Sequence, residues 1–322
     1  MRYRRFGRVG WQVSEIGYGL WGMGGWTGSD DSESLRALDR ALALGCNFFD
    51  TAWAYGQGKS EQLLGQAIRA YGGPEPFVAT KVPPKNMKWP GKAEYAAADA
   101  YPVDHIRAFT ETSLTNLGMN AIDLQQLHVW SDTWADDDGW KRAVDDLKRQ
   151  KLIRAFGISV NRREPANVLR ALETGLVDSV QVVYNIFDQA PEDELFPYCQ
   201  THDIAIVARV PFDEGSLTGT LTRESTWPDG DWRNTYFAPA NLAATLDRVE
   251  RLEPLVPEGM DLPELALRFI LAHPAVSTTI PGMRRPRHAS RNLAASDGVS
   301  LPPRLHAALK THRWDRRPNA TP

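Results

Sequence analysis

Three ionisable side chains stand where apolar runs end. Asp50 closes Phe48-Phe49-Asp50 and opens Asp50-Thr-Ala-Trp-Ala-Tyr55-Gly; Lys81 follows Val-Ala-Thr, and His128 follows Asp-Leu-Gln-Gln-Leu. A charge at the end of an apolar strand is costly unless it is paired, so Lys81 and Asp50 on neighbouring strands are expected to pair. Tyr55, five residues beyond Asp50, then comes within reach of the lysine. An ammonium beside a tyrosine stabilises the phenolate and lowers its pKa, which makes the phenol a usable general acid near neutral pH. Any one of the four, taken alone, reads as an ordinary strand-end residue. Converging in one place, they read as a proton-transfer site.

The elements that would bring them together alternate regularly. Residues 3–6 and 11–14 suggest a hairpin turning at 7–10. Eight strand-like runs follow, at 15–19, 47–50, 77–82, 122–129, 153–159, 179–184, 204–210 and 277–280. Helix patterns lie between them, beginning with one capped by Asp30, with Glu33 three residues on, an apolar stripe of Leu35, Leu38, Ala41 and Leu42, and a stop at Gly45. Others fall at 60–70, 104–117, 140–150, 164–172, 192–202 and 262–272. Eight βα units predict a closed (β/α)8 TIM barrel behind an N-terminal β-hairpin, as a single domain over residues 1–322. Two connections are long, 83–101 after barrel strand 3 and 211–238 after barrel strand 7. Both follow strand C-termini, where such barrels carry their sites.

Composition narrows the partners. The 322 residues carry 37 Lys+Arg against 40 Asp+Glu, a net charge of −3, and so no global field that would attract nucleic acid or an anionic membrane. No apolar run approaches the ~20 residues of a membrane span, and the start has no apolar segment of a secretory signal. With only Cys46 and Cys199, the chain suggests neither a disulfide framework nor a cysteine metal site, and a reducing, cytoplasmic setting is expected.

The ordered set Asp50-Thr-Ala-x-x-Tyr55-Gly, Ser60-Glu-x-x-Leu-Gly65, Ala-Thr-Lys81-Val and Asp123-Leu-x-x-Leu-His128 resembles the aldo-keto reductase family. The likeness continues through Phe156-Gly-Ile-Ser159, Gln181-x-x-Tyr184-Asn185, Gly215-Ser-Leu-Thr-Gly219 and Thr279-Ile-Pro-Gly282 to Arg291-Asn292-Leu293. The resemblance implies a barrel with an N-terminal hairpin and NADP(H)-dependent interconversion of carbonyls and alcohols, with small-molecule carbonyl substrates. It implies Tyr55 as proton donor, Lys81 as the group that depresses its pKa, Asp50 as the partner of Lys81, and His128 as the residue that orients the carbonyl.

The same resemblance implies cofactor contacts. Gly19, Leu20 and Trp21 would meet the nicotinamide side, Asp50 would border it, and Ser159 and Gln181 would bond its carboxamide. Arg209, Val210, Pro211, Phe212 and Leu217 would cover the pyrophosphate. Gly282, Met283, Arg284, His288, Arg291 and Asn292 would hold the adenosine end. Three departures stand out. Val160 separates Ser159 from Asn161, where the family pattern has the asparagine directly after the serine. Arg209 stands where many members carry an aromatic residue against the nicotinamide, and Arg291 replaces a frequent glutamate. Trp21, Trp53, Trp89, Trp130 and Trp227 fall in strand-end loops and are candidate walls of a substrate pocket.

Other patterns read blandly. Gly17-Tyr-Gly19-Leu-Trp-Gly22 matches a dinucleotide fingerprint in letters, but the residues after it predict a loop and not the helix that fingerprint needs. Asp136-Asp137-Asp138 reads as charge at a helix start rather than as a metal cluster, and no metal site is expected. Arg284-Arg285-Pro286-Arg287-His288 opens a helix and is expected to bind phosphate. Asn319-Ala-Thr321 is a formal glycosylation site expected to be idle. Two other functions stay open: a cofactor-holding regulatory subunit of the potassium-channel β type, and a barrel lyase or aldolase forming an imine on Lys81.

Overall fold

The computed structural model describes residues 1–25 and 28–316. Asn319-Ala-Thr321 therefore lies outside the described residues. The hairpin forms where expected, β1 (Tyr3–Phe6) pairing antiparallel with β2 (Trp11–Ser14). Gly7 turns it at φ 41°, where a Cβ would lie 2.5 Å from the Ala205 nitrogen, so only glycine fits.

Eight parallel strands follow: β3 (Tyr18–Gly19), β4 (Phe48–Asp50), β5 (Phe77–Val82), β6 (Ile122–Leu127), β7 (Ile153–Ser159), β8 (Ser179–Val183), β9 (Ala205–Arg209) and β10 (Val276–Thr279). They run in sequence order across the sheet. Its edges meet through Gly17 N–H to Thr279 O at 2.8 Å, Thr279 N–H to Glu15 O at 3.0 Å and Gly19 N–H to Pro281 O at 3.0 Å. The last approach is close enough that a Cβ on Gly19 would sit 2.6 Å from the Ile280 carbonyl oxygen. The sheet is thus closed into the expected (β/α)8 barrel. The run at 15–19 is regular strand only over its last two residues, Ile16 meeting Thr279 as an isolated bridge.

Phe6 and Val13 of the hairpin pack with Phe48, Ala79, Leu124, Ala155 and Val207, plugging the N-terminal end of the barrel. The other end stays open for chemistry. The first barrel helix, Asp31–Ala43, starts as read, with the Asp30 carboxylate accepting from the Glu33 N–H at 2.6 Å. The helix expected over 164–172 is shorter, Leu169–Glu173. Its start is capped from a distant loop: the Asp132 carboxylate accepts from Arg170 N–H at 2.9 Å and Ala171 N–H at 3.1 Å. Arg163 at φ 64° and Asn167, which holds the Asp132 N–H at 2.8 Å, keep the preceding residues out of helix. The helix expected over 192–202 likewise contracts to Leu195–Thr201.

Both long connections sit at the open end, the first holding a short helix at Ala97–Ala100 and the second a turn at Asp213–Thr218 and a helix at Arg233–Tyr236. The Gly17–Gly22 segment runs into a 3-10 turn, Trp21–Met23, instead of an α-helix. Asp137 caps the helix Asp138–Arg149 through the Gly139 N–H at 2.8 Å. No group of acidic, His or Cys residues able to hold a metal occurs among the described residues. Nor, among them, is any helix long and apolar enough to cross a membrane.

Candidate active site

The ends of β4, β5 and β6 bring the four chemical side chains together. The Lys81 Nζ, with no exposed surface, donates to Asp50 Oδ2 at 2.6 Å, to the Thr51 carbonyl at 2.8 Å and to the Tyr55 hydroxyl at 3.2 Å. Three donors meet three acceptors, so the buried ammonium is fully satisfied by protein groups. The other Asp50 oxygen accepts from Gln181 Nε2 at 2.7 Å and Gln126 Nε2 at 3.2 Å. The His128 ring stands edge-on to Tyr55, centroids 5.6 Å apart, and to Trp89 at 4.6 Å. Its Nδ1 is buried with no partner among the described residues.

Electrostatics assign protonation states. Burial pushes the Lys81 pKa down, but Asp50 and Tyr55 outweigh it and hold the pKa above that of an ordinary lysine. An imine-forming amine must lose its proton, so this environment works against the aldolase reading. Burial, reinforced by the Lys81 and Arg209 charges, holds His128 well below its usual value, and the imidazole is neutral at pH 7. For Tyr55, burial raises the pKa and Lys81 lowers it; burial wins, so the phenol sits above its ordinary 10. This corrects the expectation of a net depressed tyrosine. The lysine acts in the expected sense, yet the same desolvation that sharpens its charge penalises the phenolate more. Tyr55 is a fully protonated donor at neutral pH.

Asp50, Tyr55 and His128 border a cavity of about 520 Å³ at the barrel mouth, with Lys81 buried behind them. Gly19, Trp21, Asp50, Tyr55, His128, Gln181, Arg209, Val210, Pro211, Phe212, Gly282, Met283, Arg284 and His288 all line it. Ser159 lies buried beside Gln181 in the β7–β8 register. Leu20 and Leu217 are fully buried and do not border the cavity. Asn292 is buried in the helix Pro286–Ala294, and the Arg291 guanidinium is engaged with Asp261. Asn161 faces away from the cavity, its side chain bonding both the nitrogen and the carbonyl of Gly91, at 3.2 and 2.7 Å. It joins the loops after β5 and β7.

The tryptophans divide. Trp21 and Trp89, 40% and 44% exposed, flank the open end. Trp53 is turned edge-on to Phe109, 4.8 Å away, and does not reach the cavity. Trp130 is corrected outright: it is fully buried between Trp134 and Trp140, because the loop after β6 folds inward over its own aromatic cluster. Trp227 stacks on Phe237 in a separate cluster.

A buried ionic network braces the loop after β9. Arg316 reaches from the end of the described chain to Asp213 Oδ1 at 2.8 Å and the Tyr236 hydroxyl at 2.7 Å, while Arg162 meets Glu214 and Tyr236. It holds a turn in which Asp213 and Glu214 have φ of 42° and 57°, next to Val210 at 57°. No local pattern announces a pair 103 residues apart. Burial opposes the Asp213 charge, but Arg316 outweighs it and keeps the carboxyl below its usual range. Its stabilisation is therefore present above the unfolded carboxyl pKa and is lost as pH falls through the lower folded value. Replacing Arg316 with Met leaves that buried carboxylate without its main counter-charge, held by the Ser216 and Tyr236 hydroxyls and the more distant Arg162, with an expected cost of about 3 kcal/mol in urea unfolding at pH 7. Adding Asp213→Asn should return part of it; a loss below about 1 kcal/mol would remove the network from the account.

Residues 15–313 match the model of the Aldo/keto reductase family. The chain belongs to this family. Its relatives include the aldo-keto reductase YhdN of Bacillus subtilis, 31% identical over 89% of this chain and 86% of that protein. Another, the NADH-specific methylglyoxal reductase of Escherichia coli, is 29% identical over 88% and 90%. The holo form of aldo-keto reductase AKR11C1 from Bacillus halodurans superposes with a TM-score of 0.77 at 28% identity, over 99% of each chain. As an aldo-keto reductase, the protein is an oxidoreductase.

Proposed function

We propose that this aldo-keto reductase is an NADPH-dependent carbonyl reductase acting on small aldehydes or ketones in the cytoplasm. The observation that carries the reading is the buried chain from Asp50 through Lys81 to the Tyr55 hydroxyl, which ends at a cavity wall beside a neutral imidazole. Tyr55 would give its proton to the carbonyl oxygen. Lys81 would stabilise the phenolate left behind, and Asp50, fixed by Gln126 and Gln181, would hold the ammonium in place. A neutral His128 can donate an N–H to the same oxygen without competing as a stronger acid. Trp21 and Trp89 would wall the substrate.

A nicotinamide cofactor would supply the hydride. The residues present suit one. Gly282 leaves open space where a Cβ would point, and the helix Pro286–Ala294 begins without any side-chain cap; Pro286 has no N–H and the His288 and Ala289 amides donate to the Arg285 carbonyl, so a phosphate there would rely on the helix dipole and the arginine side chains. Arg284 and His288 border the same arm of the cavity. Burial and four neighbouring arginines lower the His288 pKa, leaving it neutral at pH 7, so Arg284 would read the ribose 2′-phosphate of NADPH. Arg284→Ala should weaken NADPH by roughly 10- to 150-fold and leave NADH nearly unchanged in fluorescence titrations, the worth of one charge-assisted contact. Equal losses would mean that Arg284 supports the loop instead.

Following NADPH absorbance with a panel of aldehydes, ketones and sugars, with NADH in parallel, tests the reading. Carbonyl-dependent oxidation of NADPH is expected. Tight binding with no turnover on any carbonyl would favour the regulatory-subunit alternative, and a preference for NADH would overturn the NADP assignment.

A further inference from the structure

Arg209 ends β9 and lines the cavity. Strand order puts β9 across the barrel mouth from β4, β5 and β6, which carry Asp50, Lys81 and His128, with Tyr55 just beyond β4. Its Nη2 donates to the Val160 carbonyl at 3.0 Å, and its buried Nε has no partner among the described residues. Other cations of the site are paired, Lys81 across the mouth with Asp50 and Arg162 next to it with Glu214. No ion pair holds Arg209 among the described residues; the Asp50 and Asp188 carboxylates act on it only from beyond ion-pair distance, and its own charge acts on Tyr55 and His128 across the cavity. Burial and the neighbouring Arg162 lower its pKa to about 10, so it remains a cation at pH 7.

Such a residue matters for any group whose charge changes in the cavity. The arm suited to the cofactor runs along the β9 and β10 side, past Val210–Phe212 to Arg284 and His288, so its nicotinamide end would lie between Arg209 and the Tyr55–His128 wall. Reduced nicotinamide is a neutral ring whose face tolerates a guanidinium, whereas oxidised nicotinamide carries a positive charge and is repelled.

We propose that Arg209 makes this site select the reduced cofactor over the oxidised one, binding NADPH more tightly than NADP+. The inference rests on the proposed use of a nicotinamide cofactor. Selection draws the bound couple toward its reduced form, each tenfold of preference raising its potential by about 30 mV. It also speeds the release of NADP+ after turnover.

The test is a pair of equilibrium titrations, NADPH and NADP+, by quenching of tryptophan fluorescence. They are made on the unaltered protein, Arg209→Gln, Arg209→Met as a second neutral variant, and Arg209→Lys. Both affinities come from one protein, so general damage cancels in their ratio. The unaltered protein should favour NADPH by tenfold or more. Either neutral variant should cut that ratio by roughly 10- to 100-fold, as a unit charge a few ångströms away would at intermediate dielectric, and Arg209→Lys should keep most of it. A ratio unchanged in the neutral variants, or lost equally in Arg209→Lys, overturns the inference while leaving the reductase reading intact. Failure of the unaltered protein to bind either dinucleotide overturns that reading and the inference with it.

Discussion

Tyr55→Phe should lower carbonyl turnover by about 10²- to 10⁴-fold, the usual worth of a positioned general acid, while NADPH affinity stays within a few-fold. The substitution removes one oxygen and little volume. The hydroxyl it removes accepts from Lys81 at 3.2 Å and borders the cavity. In the unaltered protein the phenol stays protonated beyond its ordinary pKa of 10 because burial outweighs the ammonium. Reduction should therefore show no loss from tyrosine ionisation between pH 6 and 9. Full activity in the variant, or an alkaline fall near pH 8 that Tyr55→Phe abolishes, would remove the residue or its protonation state from the mechanism.

Lys81→Met should reduce turnover by roughly 10²-fold or more, acting through the tyrosine. Burial already raises the phenol, and Lys81 is the first of the influences pulling it back. Without the ammonium the phenol becomes a weaker acid and the phenolate left after proton transfer loses its stabilising charge. The same change strands Asp50, 2% exposed and otherwise held, among the described residues, by two glutamine amides. Stability should fall by about 3–5 kcal/mol, and Lys81→Met with Asp50→Asn should regain part of this without regaining turnover. That divergence separates the chemical role of the lysine from its structural one. Unchanged kcat in Lys81→Met, or recovery of kcat with stability, would contradict it.

The end of the barrel that carries Asp50, Lys81 and His128 was legible in the chain because burial makes polar strand ends conspicuous. Asp50, Lys81 and His128 interrupt apolar runs, and only a partner across the sheet makes that tolerable. The eight βα repeats carried the barrel in the same way, through alternation and capping such as Asp30 with Glu33. What escaped was non-local. Whether burial or the ammonium wins at Tyr55 depends on how completely water is excluded, and no spacing encodes that. Trp130 and Trp21 are both tryptophans in strand-end loops, yet one is sealed under Trp134 and Trp140 and the other stands 40% exposed. The helix shortened to Leu169–Glu173 owes its start to Asp132, from another loop. Gln126 carried a weak signal, a polar residue in the fully buried β6, and it proves to face Asp50.

Transfer of a hydride from NADPH to a carbonyl held against Tyr55 and His128 can be followed directly with NADPH carrying deuterium at both C4 positions, mixed with the protein and a reducible aldehyde, with the product alcohol examined by mass spectrometry. One deuterium is expected on the carbinol carbon for each NADPH oxidised, with at least a hundredfold slower appearance of that alcohol for Tyr55→Phe. Alcohol formed without deuterium, or NADPH oxidised with no alcohol formed, would contradict that transfer.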